Sequence, residues 1–229
     1  MRFQKNGTAV NCSHLDLLRS IQRILRRAAW PVAYSQGFNP HPILSFAQAL
    51  SLGMESFGEY FEVTLAQEAD IDRLLRAFNE NAPKGLWAKD ARVMAQKEPS
   101  AMALVQGAEY RFVPAYDTDK PKVQRAYEAL IAKESHPFVR RSKKGEKTVD
   151  MLPMVHDLRW EENDCYALLS CGEANLPPMA FWQAAEQLAG QEIPCRVDRQ
   201  NLFTRRDGNT WASLMEAVII EQTSRKDEL

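Results

Sequence analysis

Ser13-His14-Leu15-Asp16-Leu17-Leu18-Arg19-Ser20-Ile21-Gln22-Arg23-Ile24-Leu25-Arg26-Arg27-Ala28-Ala29-Trp30-Pro31 reads as an amphipathic helix with both ends marked. Ser13 is an N-cap residue, whose oxygen takes an amide proton of the first turn. Asp16, three residues on, is a shortened capping-box partner. Leu17, Leu18, Ile21, Ile24, Leu25 and Ala28 recur at spacings of three and four and so share one face. Pro31 stops the helix. Upstream, Met1 to Val10 reads as a strand, with Phe3 alternating against Arg2 and Gln4 and a turn at Asn6-Gly7. Downstream, Ile43 to Leu52 and Glu59 to Leu65 read as strands, Ala69 to Asn81 as a helix, and Leu86 to Val93 as a short strand.

The second half follows the same pattern. Glu109 to Tyr116 reads as a strand and Lys120 to Lys133 as a helix. A basic hairpin over Phe138 to Leu152 turns near Lys144-Gly145, and a further hairpin in Val155 to Ser170 turns near Asn163-Asp164. Pro177-Pro178 opens a helix, as proline favours the first positions, and Arg196 to Arg205 is a last strand. Each half is a β-α-β-β-α-β run, so the expected fold is α+β, built of two tandem ferredoxin-like units. The expected divisions are 1–97, 103–207 with the basic hairpin, and a tail of 208–229 whose Trp211 to Glu221 stretch suits a short helix.

The 229 residues are 45% apolar and 26% charged, which argues against disorder. The cysteines Cys12, Cys165, Cys171 and Cys195 form no CxxC spacing and no CxxxCxxC run. The chain by itself therefore lacks the usual zinc-finger and radical-SAM cluster motifs. The first ten residues have no apolar signal-peptide core, and no apolar run is long enough to span a bilayer. The expectation is a cytoplasmic protein without a membrane partner. The closing Lys226-Asp227-Glu228-Leu229 then reads as coincidence and not as a retention signal.

The net charge of −1 hides a polarity. Residues 1–54 hold six basic residues against the single acid Asp16, a local +5, and residues 55–72 hold six acids. Arg19, Arg23, Arg26 and Arg27 stand at i, i+4, i+7 and i+8, on one stripe opposite the apolar face. Such a stripe suits phosphate tracking, because the guanidinium fork matches phosphate oxygens. It equally fits a solvated helix face. Arg140, Arg141, Lys143, Lys144 and Lys147 form a second basic cluster, read either as an RNA-gripping hairpin or as a solubilising one.

Tyr34-Ser35-Gln36-Gly37-Phe38-Asn39-Pro40-His41-Pro42 places aromatics, amides, a hydroxyl and a histidine on a proline-braced loop. Stiff loops of this composition suit base stacking and hydrogen-bond readout. Tyr34, Ser35, Gln36, Phe38, Asn39 and His41 are the candidate contacts, and an ordered connector is the plainer alternative. His14, Asp16 and His41 are candidate catalytic residues. If the loop folds back onto the helix start, they suit acid–base work or a metal. If it does not, Asp16 caps and the histidines are structural. There is no GxGxxG and no Walker motif.

Ser13-His14-Leu15-Asp16-Leu17-Leu18-Arg19, Arg26-Arg27, Pro31 to Pro42, Ser45-Phe46-Ala47 and Gly53-Met54-Glu55-Ser56 to Glu59 resemble the radical-SAM-linked protein family. This is a bacterial domain of unknown function, found alone or fused behind a cobalamin-binding radical-SAM enzyme. The resemblance is dense over residues 1–65. It is looser over Lys144-Gly145-Glu146-Lys147 with Asp150, and over Arg199 with Leu202-Phe203. The family pattern carries an Arg-Pro after the aspartate, where this chain has Leu152-Pro153. The resemblance implies a radical-SAM enzyme as partner in trans. An iron–sulfur cluster and SAM, with cobalamin where the partner binds it, would then sit on that enzyme, and no cofactor on this chain.

Three functions fit these observations. The first is a non-catalytic accessory protein that binds tRNA or rRNA and delivers it to the partner for modification. The second is an RNA-acting enzyme, of pseudouridine-synthase or metal-free nuclease type, using Asp16 or His41 by fold-level analogy. The third is a protein–protein module that contacts only the enzyme.

Overall fold

The computed structural model describes residues 1–94, 99–115, 118–142, 145–206, 208 and 210–217, without the side chains of 141 and 142. The chain is α+β and divides into two compact units, Met1–Val105 with Leu202–Leu229, and Gln106–Asn201. The division falls after Val105, not at the 97–103 junction read from the sequence. The last segment returns to the first unit.

In the first unit, β1 (Arg2–Lys5) leads through a 3-10 turn (Gly7–Asn11) to α1 (His14–Arg27). The elements β2 (Leu44–Phe46), β3 (Glu55–Val63), α2 (Ile71–Asn81) and β4 (Leu86–Asp90) follow. The short α3 (Ala101–Leu104) closes the segment. Ser13 caps α1 by accepting from the Asp16 amide at 3.2 Å, as its residue type demands. Asp70 caps α2 through the amides of Asp72 and Arg73. Leu17, Ile21, Ile24 and Leu25 are the buried face of α1. They close over Phe3, Phe46, Phe61 and Phe78, whose rings stand 5.7–6.3 Å apart. Burying each such side chain contributes about 1.5–3 kcal/mol.

In the second unit, β5 (Gly107–Pro114), α4 (Lys120–Ile131), and a separate hairpin of β6 (Pro137–Ser142) and β7 (Gly145–Asp150) come first. Then follow β8 (Val155–Glu161), β9 (Asp164–Ser170), α5 (Pro178–Ala189) and β10 (Cys195–Arg206). The Trp182 ring stacks on Phe112 at 5.1 Å and donates to the Ile193 carbonyl at 2.8 Å. Tyr127 packs on Phe181 at 4.9 Å. Gly190 ends α5 in the left-handed conformation, with φ +66°.

The two units share a strand order. β1 lies between β4 and β3, with β2 on β3; β5 lies between β10 and β9, with β8 on β9. Beyond Leu202, β10 pairs with β11 (Thr210–Ser213), which runs into α6 (Leu214–Ala217). Trp211 therefore lies in a strand and not in the helix expected for 211–221. It is held there because Arg205, opposite it, lies over its ring at 4.7 Å. The expected strand over 43–52 is only three residues long, since Gly53 and the loop beyond Phe46 leave the ladder. No helix of the described residues is long and apolar enough to cross a membrane. The Lys226–Leu229 end lies outside the described residues.

Candidate nucleic-acid interface

α1 turns its four arginines outward, and all are exposed. Two of them have partners within the chain. Arg19 lies 3.5 Å from Asp16, and Arg27 donates to the Asn81 carbonyl at 2.6 Å. The guanidinium groups of Arg23 and Arg26 have no hydrogen bond or ion pair among the described residues. Asp16 is used locally. The Ser13 hydroxyl donates to its Oδ2 at 2.6 Å and, with Arg19 adding to the effect, holds the carboxyl below its ordinary value.

α1 ends at Arg27, and the chain reaches the loop within seven residues. The neck of the loop is built in two tiers. Val32 bridges to Leu65, and Tyr34 bridges to Pro42. Inside the neck, the Ser35 amide donates to the His41 carbonyl at 2.9 Å, and the His41 amide donates to Ser35 Oγ at 3.2 Å. Ser35 Oγ also lies 3.0 Å from His41 Nδ1, which sits 3.3 Å from the Asn39 carbonyl. That carbonyl only accepts. A proton on Nδ1 would face both oxygens. Gly37, at φ +124°, makes a bend that a side chain would oppose. Beyond it, Phe38 is wholly exposed and Tyr34 is 45% exposed. The side-chain amides of Gln36 and Asn39 have no hydrogen bond among the described residues.

His14, Asp16 and His41 are engaged separately. His14 meets the Phe46 ring edge-on at 5.2 Å, Asp16 is tied to Ser13, and His41 is tied to its own loop. Among the described residues, no group of three His, Cys, Asp or Glu side chains is placed to hold a metal ion. The His/Asp/His metal option raised by the sequence is not assembled, because each member already has a local partner.

In the second unit, the basic hairpin forms, with Ser142 opposite Gly145. Arg140 donates to the Glu173 carbonyl at 2.8 Å, and Lys147 is exposed. Lys143 and Lys144 lie outside the described residues, as does the Arg141 side chain.

Two polar clusters of the second unit escaped the sequence reading. Arg111 donates to Asp164 through Nε at 2.6 Å, with Nη2 at 2.5 Å. Arg159 lies over the Tyr166 ring at 4.7 Å and contacts Glu109 at 2.7 Å, Glu161 at 2.9 Å and Asp157 at 3.3 Å. Burial opposes the Arg159 charge, and Glu109 and Glu161 outweigh it and hold the guanidinium protonated. Burial also raises the Cys165 thiol and pushes Cys195 up to about 12, so neither is a nucleophile at neutral pH.

A family model described as an uncharacterized protein conserved in bacteria (DUF2344) matches residues 1–178. The chain belongs to that family. No curated protein is matched. Among solved structures, it is similar to a chain in the crystal structure of a Cbf5-Nop10-Gar1 complex. That match is 12% identical, with a TM-score of 0.43, over 88% of this chain and 48% of that one. The chain thus spans about half the length of the solved chain it matches.

Proposed function

We propose that this chain is a non-catalytic RNA-binding protein that works in the cytoplasm with a radical-SAM enzyme in trans, in the modification of tRNA or rRNA. The observation that carries the RNA half is the outward arginine stripe of α1, followed in the chain by an exposed aromatic loop. Arg23 and Arg26 present charge without internal partners, and the Ser35–His41 neck holds Phe38 and Tyr34 out to solvent. Guanidinium groups engage phosphates, and exposed rings stack unpaired bases. Arg19, Arg27, Gln36, Asn39 and His41 are further contacts in this reading. The strand orders β4-β1-β3-β2 and β10-β5-β9-β8 support a scaffold of two tandem ferredoxin-like units. The hairpin around Arg140, Arg141, Lys143, Lys144 and Lys147 would add a second phosphate contact.

The partner half rests on the sequence resemblance at Ser13–Arg19 and Pro31–Pro42. The cluster, SAM and cobalamin would all belong to the partner. The test is to incubate the purified chain with cellular RNA, alone and with the radical-SAM partner. RNA retention without modification when alone, and modified nucleosides only with the partner, is the expected result. Turnover by the chain alone that is lost in His41→Ala would favour the enzyme reading. The Ser35–His41 contact is the one observation that supports that alternative.

A further inference from the structure

The sheet of the first unit has a second face. Phe3, Lys5, Leu86 and Ala88 point into the core and are almost wholly buried. The alternate residues of the same strands must then point away from it. Gln4 stands directly across from Trp87, and Lys89 is two residues along from Trp87 on the same side. Trp87 is 51% exposed. Lys89 Nζ lies 5.8 Å from the centre of the Phe57 ring, which places Phe57 on this face as well. Two rings and two cations, from β1, β3 and β4, therefore meet on one surface.

Arg2 and Lys89 have no ion pair among the described residues, and Arg2 Nε is buried without a hydrogen-bond partner. Burial, and then the nearby Arg2 charge, pull the Lys89 ammonium below its ordinary value. Asp90 stands across from Arg2, and Glu62 on β3 accepts from the Ser45 hydroxyl and the Ala101 amide. Asp90 pairs with Arg92 at 3.9 Å, and Glu55 accepts from the Gly7 amide at 3.0 Å. Arg2, Lys89 and Arg92 against the carboxylate of Asp90 leave an excess of positive charge, which favours an anionic ligand. A protein interface would more often exclude lysine.

We propose that this outward sheet face binds single-stranded RNA, with unpaired bases against Trp87 and Phe57 and phosphates at Lys89 and Arg2. The strand must be single because paired bases cannot lie flat on protein rings. The free Gln4 amide beside Trp87 is the group placed to meet a 2′-hydroxyl, the feature that separates RNA from DNA. This site is distinct from the α1 surface and does not depend on it.

The test uses the full chain and a short uridine-rich oligonucleotide, as RNA and as DNA of the same sequence. The expected result is that Trp87→Ala and Lys89→Glu each weaken RNA binding by about tenfold, the scale of losing one stacked base. Binding of the DNA should be weaker than that of the RNA. Trp87→Phe, which keeps a ring, should restore most of the affinity. Photo-crosslinking on the unaltered chain avoids any folding defect and should place the adduct in the peptide that contains Trp87 or Phe57. Unchanged RNA affinity in Trp87→Ala and Lys89→Glu, or crosslinks confined to Tyr34 and Phe38, would overturn the proposal. Equal affinity for DNA would overturn the choice of RNA. An Arg23→Ala, Arg26→Ala variant separates the two surfaces. Loss there with Trp87→Ala intact removes this site alone. Loss at Trp87 with the arginine variant intact removes the α1 reading and keeps this one.

Discussion

Ser35 Oγ lies 3.0 Å from His41 Nδ1, and this contact joins the two ends of the 34–42 loop across its neck. The loop's exposed tip has no core to hold it, so its shape depends on this neck and on the Tyr34–Pro42 bridge. Ser35→Ala removes two of the neck's polar contacts. It should weaken RNA binding by about fivefold, the scale of one net hydrogen bond. The thermal midpoint should not move, since both side chains lie outside the core. Titration of a labelled RNA against the two proteins, with melting as a control, checks this.

Phe38→Ala should cost about 1–3 kcal/mol of RNA binding if the ring stacks a base. Its complete exposure means that truncation creates no cavity, so stability should stay within about 0.5 kcal/mol. Binding and unfolding curves for the same preparation measure both effects.

Gly85 is where the first unit has least tolerance. Its φ is +91°, and a Cβ there would lie 2.3 Å from the Asn6 carbonyl oxygen and 2.9 Å from Ala9 Cβ. The Gly85 carbonyl also accepts from the Asn6 amide at 2.8 Å. Gly85→Ala adds backbone strain to a clash with main chain, and should destabilise by about 2–3 kcal/mol. Denaturant unfolding measures it.

The start of α1 should be acid-sensitive. The Ser13 hydrogen bond, helped by Arg19, lowers the Asp16 pKa below the ordinary 3.8. The carboxyl therefore binds its proton less readily when folded than when unfolded. The sign follows from that: Asp16 contributes stability above its unfolded pKa, and the contribution is lost as pH falls through the lower folded value. Stability should decline less over that acid range in Asp16→Asn than in the unaltered chain. Urea midpoints taken across the acid range read this directly. Ser13→Ala should additionally remove about 1 kcal/mol of helix capping.

Local features were legible in the sequence because their causes are local. Ser13 stands directly before α1 and Pro31 four residues past its end at Arg27, and the 3.6-residue period of Leu17, Ile21, Ile24 and Leu25 fixes its buried face. The pairing of β6 with β7 and the β8–β9 turn were likewise readable from Gly145 and Asn163. Features that depend on strand register were not. Arg111 meets Asp164, and Arg159 meets Glu109, only because β5, β9 and β8 pair as they do. The Arg2, Phe57, Trp87 and Lys89 surface needs three strands aligned, and no periodicity within one segment announces it. The return of the chain beyond Leu202 to the first unit is a long-range feature, which composition does not encode. Of the four arginines of the α1 stripe, the sequence could not tell that Arg19 and Arg27 are taken by Asp16 and Asn81.

The central claim is that Arg23 and Arg26 engage phosphates. The measurement that tests it most directly is the salt dependence of RNA binding by the unaltered chain and by Arg23→Ala, Arg26→Ala. For single strands, log K falls with log salt by roughly 0.7 per phosphate neutralised. The account predicts that the double variant binds more weakly at low salt and that its slope is shallower by roughly 1.4, two phosphates' worth. An identical slope and affinity in the two proteins, or no RNA binding by the unaltered chain at low salt, would contradict it.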